Sequence, residues 1–185
     1  MFTILDLQIA KNTLAKSRKA CRYSPENNEV SYELYTLNCH DQGVACELMV
    51  IDNMELHGVD VEHMGGSNNR HDISLYVAGQ HKKAEVKSAV LGVKNNKFYF
   101  KGIKKDAFNI LFLCFIHPEK GVIVKTVSHD AVMEACKDKT YKMDRKTGKV
   151  HGYDIYFNES MIRKDMTTIY WNPNQPRMEV TAWVT

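Results

Sequence analysis

The stretch that decides the fold is "HDISLYVAGQHKKAEVKSA", residues 71–89. Apolar Ile73, Leu75 and Val77 alternate with less apolar neighbours, which is typical of a β-strand with one buried face. The pair Gly79-Gln80 predicts a turn, and residues 84–90 predict a returning strand. The stretch is therefore interpreted as an antiparallel hairpin in the core of an ordinary globular domain.

Charged side chains gather at one end of this hairpin. A turn centred on Gly79-Gln80 pairs residues whose numbers sum to about 159, which predicts Asp72 opposite Lys87 and Ser74 opposite Glu85. Alternation keeps these groups on one face, and a one-residue slip would separate them. Two converging carboxylates repel unless cations lie between them. A lysine and a hard divalent ion such as Mg²⁺ would supply that charge. The alternative is a surface cluster of ion pairs.

The helix predicted over Gly43 to Leu56, with Gly58 as its C-terminal stop, contains an anomalous acid. At about 100° per residue, its apolar arc is formed by Val44, Leu48, Val50, Ile51 and Met54. Glu47 falls inside that arc, whereas Asp52 and Asn53 point away from it. A carboxylate that faces the core is costly unless it is paired or binds a metal. The alternative to a metal is a buried ion pair between Glu47 and Arg70.

The remaining patterns predict a mixed α+β fold in which helices flank a central mixed sheet. Helices are expected at about 4–21, 31–37, 104–108 ("KKDAF") and 128–138, the last with Ser128 as N-cap. Strands are expected at 58–64, 95–103, 109–117 and 121–127, and in a hairpin at 140–157. The segment "MEVTAWV", residues 178–184, is a candidate final strand. Nothing in the pattern demands a domain boundary, so residues 1–185 are treated as a single domain.

Composition excludes several classes of protein. Hydrophobic residues make up 44% and charged residues 25%, as in soluble globular proteins. No apolar run reaches the roughly 20 residues of a membrane span, and the N-terminus lacks a signal-peptide pattern. We therefore expect a cytoplasmic protein with reduced thiols in its five scattered cysteines. Two sets, Cys39/His40/Cys46 and His57/His63/His71, were weighed as zinc sites, but neither has convincing ligand spacing.

The net charge of +3 conceals a strong asymmetry. Residues 1–80 carry 6 Lys/Arg and 11 Asp/Glu, whereas residues 81–149 carry 16 and 7. A segment this basic is what a polyanion-binding surface requires, although a solvated lysine-rich face would look the same.

Read in order, these segments resemble the core of the PD-(D/E)xK nuclease superfamily, which includes restriction and homing endonucleases and junction resolvases. The helix with Glu47, then "HDISLYV", "AEVKSA" and the apolar "NILFLCFI", follow the order of that core over about residues 43–117. The basic hairpin at about 137–157 would be an extension. His71 stands where many members have a proline. The resemblance implies a restriction-endonuclease-like fold and a single nuclease domain.

The resemblance also implies a chemistry: hydrolysis of DNA phosphodiester bonds with Mg²⁺, for which Mn²⁺ could substitute. Asp72, Glu85 and the Val86 carbonyl would bind the metal, and Glu47 a second ion or a metal-bound water. Lys87 would orient the attacking water or offset negative charge. His71 and Ser88 are candidate groups around these ligands.

The implied partner is double-stranded or branched DNA. Phosphate contacts are expected from a set of basic residues: Lys82, Lys83, Lys94, Lys97, Lys101, Lys104, Lys105, Arg145, Lys146 and Lys149. The loops "NNK" (95–97) and "DRKTGK" (144–149) are candidates for reading sequence. Tyr99, Tyr141, Trp171 and Trp183 are interpreted as packing residues, with base stacking as the alternative.

Several functions fit this pattern. A restriction- or homing-type double-strand cutter is preferred, and a Holliday-junction resolvase is the close alternative. Because one site cuts one strand, either enzyme is expected to be a homodimer. The rival interpretations are a non-catalytic DNA- or RNA-binding module with the same fold, and a small basic RNA- or protein-binding factor whose acids form surface ion pairs.

Overall fold

A computed structural model describes residues 29–64, 71–92, 94–104, 107–118, 121–130, 132, 141–143, 150–158 and 168–171. Two helices come first: α1 (Glu29–Thr36) and α2 (Cys39–Leu56). The strands are β1 (Asp60–His63), β2 (Ile73–Val77), β3 (Gln80–Val90), β4 (Lys97–Ile103), β5 (Ile110–His117), β6 (Gly121–Ser128), β7 (Tyr141–Met143), β8 (Val150–Asn158) and β9 (Thr168–Trp171). No helix in these ranges is both long and apolar enough to cross a membrane.

The strands form two sheets. The larger sheet has six strands in the order β1-β2-β3-β5-β6-β9, and the smaller has three in the order β4-β8-β7. Strands β3 and β5 are parallel, whereas the other neighbours in the larger sheet are antiparallel. The expected mixed α+β fold is therefore confirmed, and the predicted basic hairpin joins β4 in a second sheet.

Two hydrophobic cores lie on opposite faces of the larger sheet. The first joins the helices to one face through residues such as Leu34, Met49 and Val86. The second fills the space between the two sheets, where the Phe115 ring lies 5.1 Å from that of Phe98 and 4.9 Å from that of Phe100. Alternation along β3 and β5 therefore sends even-numbered side chains toward the helices and odd-numbered ones toward the smaller sheet.

The hairpin that decides the fold turns one residue earlier than predicted. Its loop is Ala78-Gly79, with φ of 50° and 73°, between the paired residues Val77 and Gln80. Two consecutive positive φ values are those of a type I′ turn, whose twist matches that of the flanking strands. Partner numbers consequently sum to 157, as in Ile73↔Ala84, so the predicted sum of 159 is wrong. Since the error is two residues, each side chain keeps its predicted face.

Helix α2 begins four residues before its predicted start. The Asn38 side chain accepts hydrogen bonds from the backbone N–H groups of His40 and Asp41, both at 3.0 Å, and so caps the helix. The predicted end is confirmed, because Gly58 follows the helix with φ of 73°, the conformation typical of a glycine stop.

The buried face of α2 differs from the predicted apolar arc. Val44 is 37% exposed, whereas Gln42, Cys46 and Asn53 are buried. The Gln42 amide donates to the backbone carbonyl of Leu34 at 3.0 Å, which explains how a polar side chain is accommodated there. The predicted arc counted large apolar residues and ignored such satisfied polar groups, so it was rotated away from the real contact face.

Other expectations meet mixed outcomes. Helix α1 and strands β1, β4, β5 and β6 are confirmed. The short helix predicted at "KKDAF" is wrong for its described residues, because Lys104, Ala107 and Phe108 are not helical. The predicted helix at 4–21 and the strand at 178–184 lie outside the described residues.

Candidate active site

Strand β3 carries a buried acid beside a lysine. The Glu85 side chain is buried, with the residue only 2% exposed, and the Lys87 Nζ lies 2.5 Å from its Oε1. Both are odd-numbered residues of β3, so they leave the larger sheet on the side of the smaller one. Their register partners in β5 are Leu111 and Leu113, both fully apolar. The charged pair therefore replaces apolar side chains at one end of a hydrophobic layer.

Asp72 meets this pair where β2 separates from β3. Pairing of the two strands ends at Ile73↔Ala84. The next β3 amide on that side, from Val86, donates to Asp72 Oδ2 at 2.8 Å, so a side chain takes the place of a backbone acceptor. Ser74 is in register with Lys83, so these two residues share a face of the sheet. Asp72 lies two residues before Ser74 and Glu85 two residues after Lys83, so Asp72 and Glu85 share that face as well. The bond to Val86 engages Oδ2 of this carboxylate.

Glu47 approaches from α2. It lies half-buried on the flank of the helix, and its Oε2 is 3.0 Å from Nε2 of His63 in β1. An imidazole N–H can donate to this carboxylate, which explains how the acid is accommodated. The alternative partner, Arg70, lies outside the described residues. Sequence reasoning did not identify His63 as the partner of Glu47, because nothing in the pattern showed that the end of β1 adjoins α2.

Electrostatics joins the four predicted residues. Burial raises the pKa of Glu47, the hydrogen bond to His63 lowers it, the charge of Asp72 raises it, and Lys87 lowers it. Burial likewise raises the pKa of Glu85, Lys87 lowers it, Asp72 raises it, and Lys104 lowers it. Asp72 thus repels both glutamates, while Lys87 attracts both. When all three carboxylates are ionised, Lys87 and Lys104 together leave one negative charge in excess.

The donor set suits a hard divalent cation. Within the described ranges, no group of three or more His, Cys, Asp or Glu side chains is placed so that it could hold a metal ion. Mg²⁺ does not require one, because it binds through one or two carboxylates and takes water and phosphate oxygens as its other ligands. Asp72 and Glu85 offer two such carboxylates on one face, and the charge of Asp72 raises the pKa of Glu85, so a cation would relieve repulsion that already exists.

The cysteines and histidines of the two candidate zinc sites do not form a metal site in the described part of the chain. Cys39 is exposed whereas Cys46 is buried, where its thiol is hydrogen-bonded to that of Cys114. His63 pairs with Glu47, and His71 Nε2 lies 3.0 Å from the Ser74 hydroxyl. These positions agree with the absence of zinc-ligand spacing in the sequence.

The two groups expected around the ligands lie on different sides of the sheet. His71 is adjacent to Asp72, and burial, followed by the charge of Lys83, lowers the pKa of its imidazole. Ser88 is an even-numbered residue of β3 in register with Cys114, which belongs to the helix-side core. Strand alternation therefore places Ser88 on the opposite face from Glu85 and Lys87.

The predicted basic residues do not form one patch. Lys82 and Lys83 are consecutive in β3 and point to opposite faces, with Lys83 on the face of Glu85. Lys104 acts on the acids electrostatically, since its charge lowers the pKa of Glu85. Lys94 and Lys101 are exposed, and Lys97 lies over an aromatic ring. The others, Lys105, Arg145, Lys146 and Lys149, lie outside the described residues.

Lys125 is a buried charge that the sequence analysis did not single out. It lies in β6, is 1% exposed and is in register with Leu113, itself the partner of Lys87. All three share the face toward the smaller sheet. A lysine at the centre of the apolar run "GVIVKTVS" was the available signal, because buried lysines are rare unless they are paired.

Comparisons with known proteins assign no family. No family model matches the chain, and no curated protein matches it. The structure of this chain is similar to the solved structure of a bacterial homing endonuclease, I-Ssp6803I. The two have 14% sequence identity and a TM-score of 0.46, and the match covers 66% of this chain and 80% of that chain. The fold belongs to the mixed α+β class. Its six-stranded sheet lies between the helices and a smaller, three-stranded sheet.

Proposed function

We propose that this protein is a Mg²⁺-dependent endodeoxyribonuclease that hydrolyses phosphodiester bonds in DNA. The strongest support comes from the side chains at the point where β2 separates from β3. There Asp72 and Glu85 share a face with Lys87, and Asp72 and Lys87 also interact electrostatically with Glu47. A set of carboxylates with excess negative charge beside Lys87 and Lys104 suits a metal ion and a phosphate.

Each side chain would have a distinct task. Asp72 and Glu85 would hold the ion, with the Val86 carbonyl as a further ligand, and Glu47 would hold a second ion or a water. The bound ion would supply an acidified water and neutralise charge on the phosphate. The Asp72 bond to the Val86 amide fixes the carboxylate before any ligand arrives, which lowers the cost of ordering it.

Lys87 would act on the reacting phosphate. Its Nζ is held beside Glu85 at 2.5 Å, so the ammonium group is positioned at the metal-binding face. As water attacks phosphorus and the P–O bond breaks, negative charge grows on the oxygens, and a fixed cation there stabilises the transition state. Removing one such donor typically costs about a hundredfold to a thousandfold in rate.

The polyanionic partner is supported by charge. Residues 81–149 hold 16 Lys/Arg against 7 Asp/Glu. The charge of Lys83 acts on His71, next to Asp72, and that of Lys104 acts on Glu85. Lysine–phosphate contacts carry affinity without sequence information and weaken with salt. A restriction- or homing-type cutter acting as a homodimer is the preferred enzyme, with a junction resolvase as the alternative, because each would pair two such sites.

Cleavage of DNA tests the proposal directly. Supercoiled, linear and branched DNA are incubated with the protein in Mg²⁺, in Mn²⁺ or in EDTA, beside Lys87→Ala. The matched control is Glu55→Ala, which removes an exposed charged side chain from α2. Cleavage is expected with either metal, absent in EDTA, preserved in the control and reduced at least a hundredfold in Lys87→Ala. Cleavage that survives EDTA, or equal loss in both variants, would sink the assignment. Preference among the three substrates separates a resolvase from a double-strand cutter.

Metal binding gives a second readout that does not depend on turnover. Titration calorimetry with Mg²⁺ or Mn²⁺ is expected to show binding that Asp72→Ala abolishes and Glu55→Ala, at an exposed acid on α2, leaves intact. Equal binding by both variants would mean that the ion is held elsewhere.

A further inference from the structure

The outer face of the smaller sheet carries aromatic and basic side chains. Phe98 and Phe100 of β4 point inward and are buried, so alternation turns Lys97, Tyr99 and Lys101 outward. Tyr99 is in register with Tyr156 of β8, and the two residues are 48% and 41% exposed. We call Lys97, Tyr99, Lys101 and Tyr156 the tyrosine–lysine face.

The two tyrosine rings are stacked. Their centroids are 5.9 Å apart and their planes differ by 20°. The Lys97 Nζ lies over the Tyr156 ring, 4.7 Å from its centroid, so a cation is held against this aromatic pair. Aromatic rings next to lysines are the combination that binds successive bases and their phosphates in single-stranded nucleic acid.

The charge of this face is also suited to a polyanion. Asp154 is the acidic residue within the sequence of β4 and β8, and its Oδ1 accepts a hydrogen bond from the Gly102 amide at 3.0 Å. Its carboxylate is therefore engaged by the backbone of the neighbouring strand, while Lys101 remains exposed. A ligand on this face meets cations and aromatic rings together.

The face runs toward the candidate active site. Strand β4 extends about 20 Å from Lys97 to Ile103, at about 3.3 Å per residue. Lys104 follows it directly, and its charge lowers the pKa of Glu85. A chain of nucleotides lying along β4 would thus meet, at its far end, a lysine whose charge acts on Glu85.

We propose that the tyrosine–lysine face binds a single-stranded segment of nucleic acid, with bases stacked on Tyr99 and Tyr156 and phosphates on the lysines. A duplex buries its base faces within its own stack, so exposed rings on an open sheet favour nucleotides that are already splayed out. The inference deepens the proposed function, on which it rests for the substrate: DNA with a single-stranded stretch next to the cleaved bond.

Binding without catalysis tests this inference. Fluorescence anisotropy in EDTA is measured with labelled single-stranded DNA, single-stranded RNA and duplex DNA of equal length. Tyr99→Ala/Tyr156→Ala is expected to weaken single-strand binding by about 5- to 150-fold, the range typical of one lost stacking contact. Tyr99→Phe/Tyr156→Phe keeps both rings and is expected to bind within about twofold of the native protein. The two single-stranded probes decide whether the ligand is DNA or RNA.

The control is Tyr76→Ala, which removes a similarly exposed tyrosine from the larger sheet. Unchanged affinity in the double alanine variant, or equal loss in Tyr76→Ala, would overturn the inference. If the double alanine variant does not fold, Tyr99→Trp replaces it: single-stranded DNA is expected to quench its added fluorescence, and absence of quenching overturns the proposal.

The two proposals fail separately. Lys87→Ala is expected to lose cleavage and to keep single-strand binding. A protein that cleaves duplex DNA without binding single strands retains the nuclease proposal and loses this one. A protein that binds single strands through the two rings but never cleaves retains this one and loses the nuclease.

Discussion

Strands β3 and β5 lie side by side in parallel, yet they have different roles. Seven of the eight residues of β5 are buried, and their side chains fill both cores. In β3, Glu85 and Lys87 occupy the positions in register with Leu111 and Leu113. One strand thus stabilises the sheet, and its neighbour carries charge into the same layer.

The difference arises from what each strand pairs with. Strand β5 is hydrogen-bonded along its whole length to β3 and β6. Strand β3 loses β2 after Ala84, and the Asp72 carboxylate replaces a backbone acceptor at Val86. The buried Glu85 carboxylate is accommodated where the sheet opens, because the Lys87 ammonium group pairs with it there. Register partners in the two strands would therefore separate stability from the proposed activity.

The largest expected effect is on stability, from Leu113→Ala. Leu113 is fully buried between the sheets, so its loss leaves a cavity and is expected to lower the free energy of unfolding by about 2–5 kcal/mol. Denaturant unfolding measures this. Cleavage per folded molecule should stay near the native value. A variant that is stable but inactive would contradict the division between the strands.

The next largest effect is on cleavage and not on stability, and it comes from Lys87→Ala, at the position in register with Leu113. Its cleavage rate is expected to fall by about a hundredfold to a thousandfold, about 2.7–4 kcal/mol in transition-state stabilisation. Single-turnover kinetics in Mg²⁺ measures this loss, and Glu55→Ala, at an exposed acid on α2, is the control. The paired measurement is denaturant unfolding: a stability loss as large as that of Leu113→Ala would mean that Lys87 is a structural residue.

A smaller effect is a pH dependence of stability in the metal-free protein. Glu47 and Glu85 have pKa values raised above 4.5, chiefly by burial. The folded state therefore holds their protons more tightly than the unfolded chain. Their contribution to stability is fully present below pH 4.5 and is lost as the pH rises through the raised values.

Denaturant unfolding in EDTA across this pH range tests that sign. Glu47→Gln/Glu85→Gln should flatten the decline in stability, whereas Glu55→Gln, at an exposed acid, should preserve it. Adding Mg²⁺ above the raised pKa values should restore stability to the native protein, since the ion replaces the lost protons. A decline unaffected by the double substitution would place its origin elsewhere.

The smallest effect concerns the turn that sets the register of β2 against β3. Ala78 has a φ of 50°, which is unfavourable for alanine and well tolerated by asparagine. Ala78→Asn is expected to raise the free energy of unfolding by up to about 1 kcal/mol without changing cleavage. Gly79→Ala is the opposite control and should destabilise. A loss of cleavage in Ala78→Asn would show that the register itself had shifted.

Much of this architecture could be predicted from local pattern. The alternation of Ile73, Leu75 and Val77 predicted the hairpin, and the apolar run at 109–117 predicted β5. The two-residue error in register came from choosing Gly79-Gln80 instead of Ala78-Gly79, because an alanine with positive φ has no signal in sequence. The face assignments survived because side-chain alternation repeats every two residues.

The candidate site was predicted less completely. Asp72, Glu85 and Lys87 follow from strand periodicity, and Glu47 from its position among apolar neighbours. The partners of these residues did not follow. His63 beside Glu47 and Lys104 near Glu85 depend on how separate elements pack, and the burial of Lys125 depends on the smaller sheet that covers its face.

The sequence alone determined the order of elements, the faces of the hairpin and the charge of its basic half, because backbone geometry imposes periods of 2 and 3.6 on the chain. The tertiary structure decided where β2 leaves β3, which acids repel one another and which tyrosines stay exposed. Those features arise from contacts between residues far apart in the chain, and no local period encodes them.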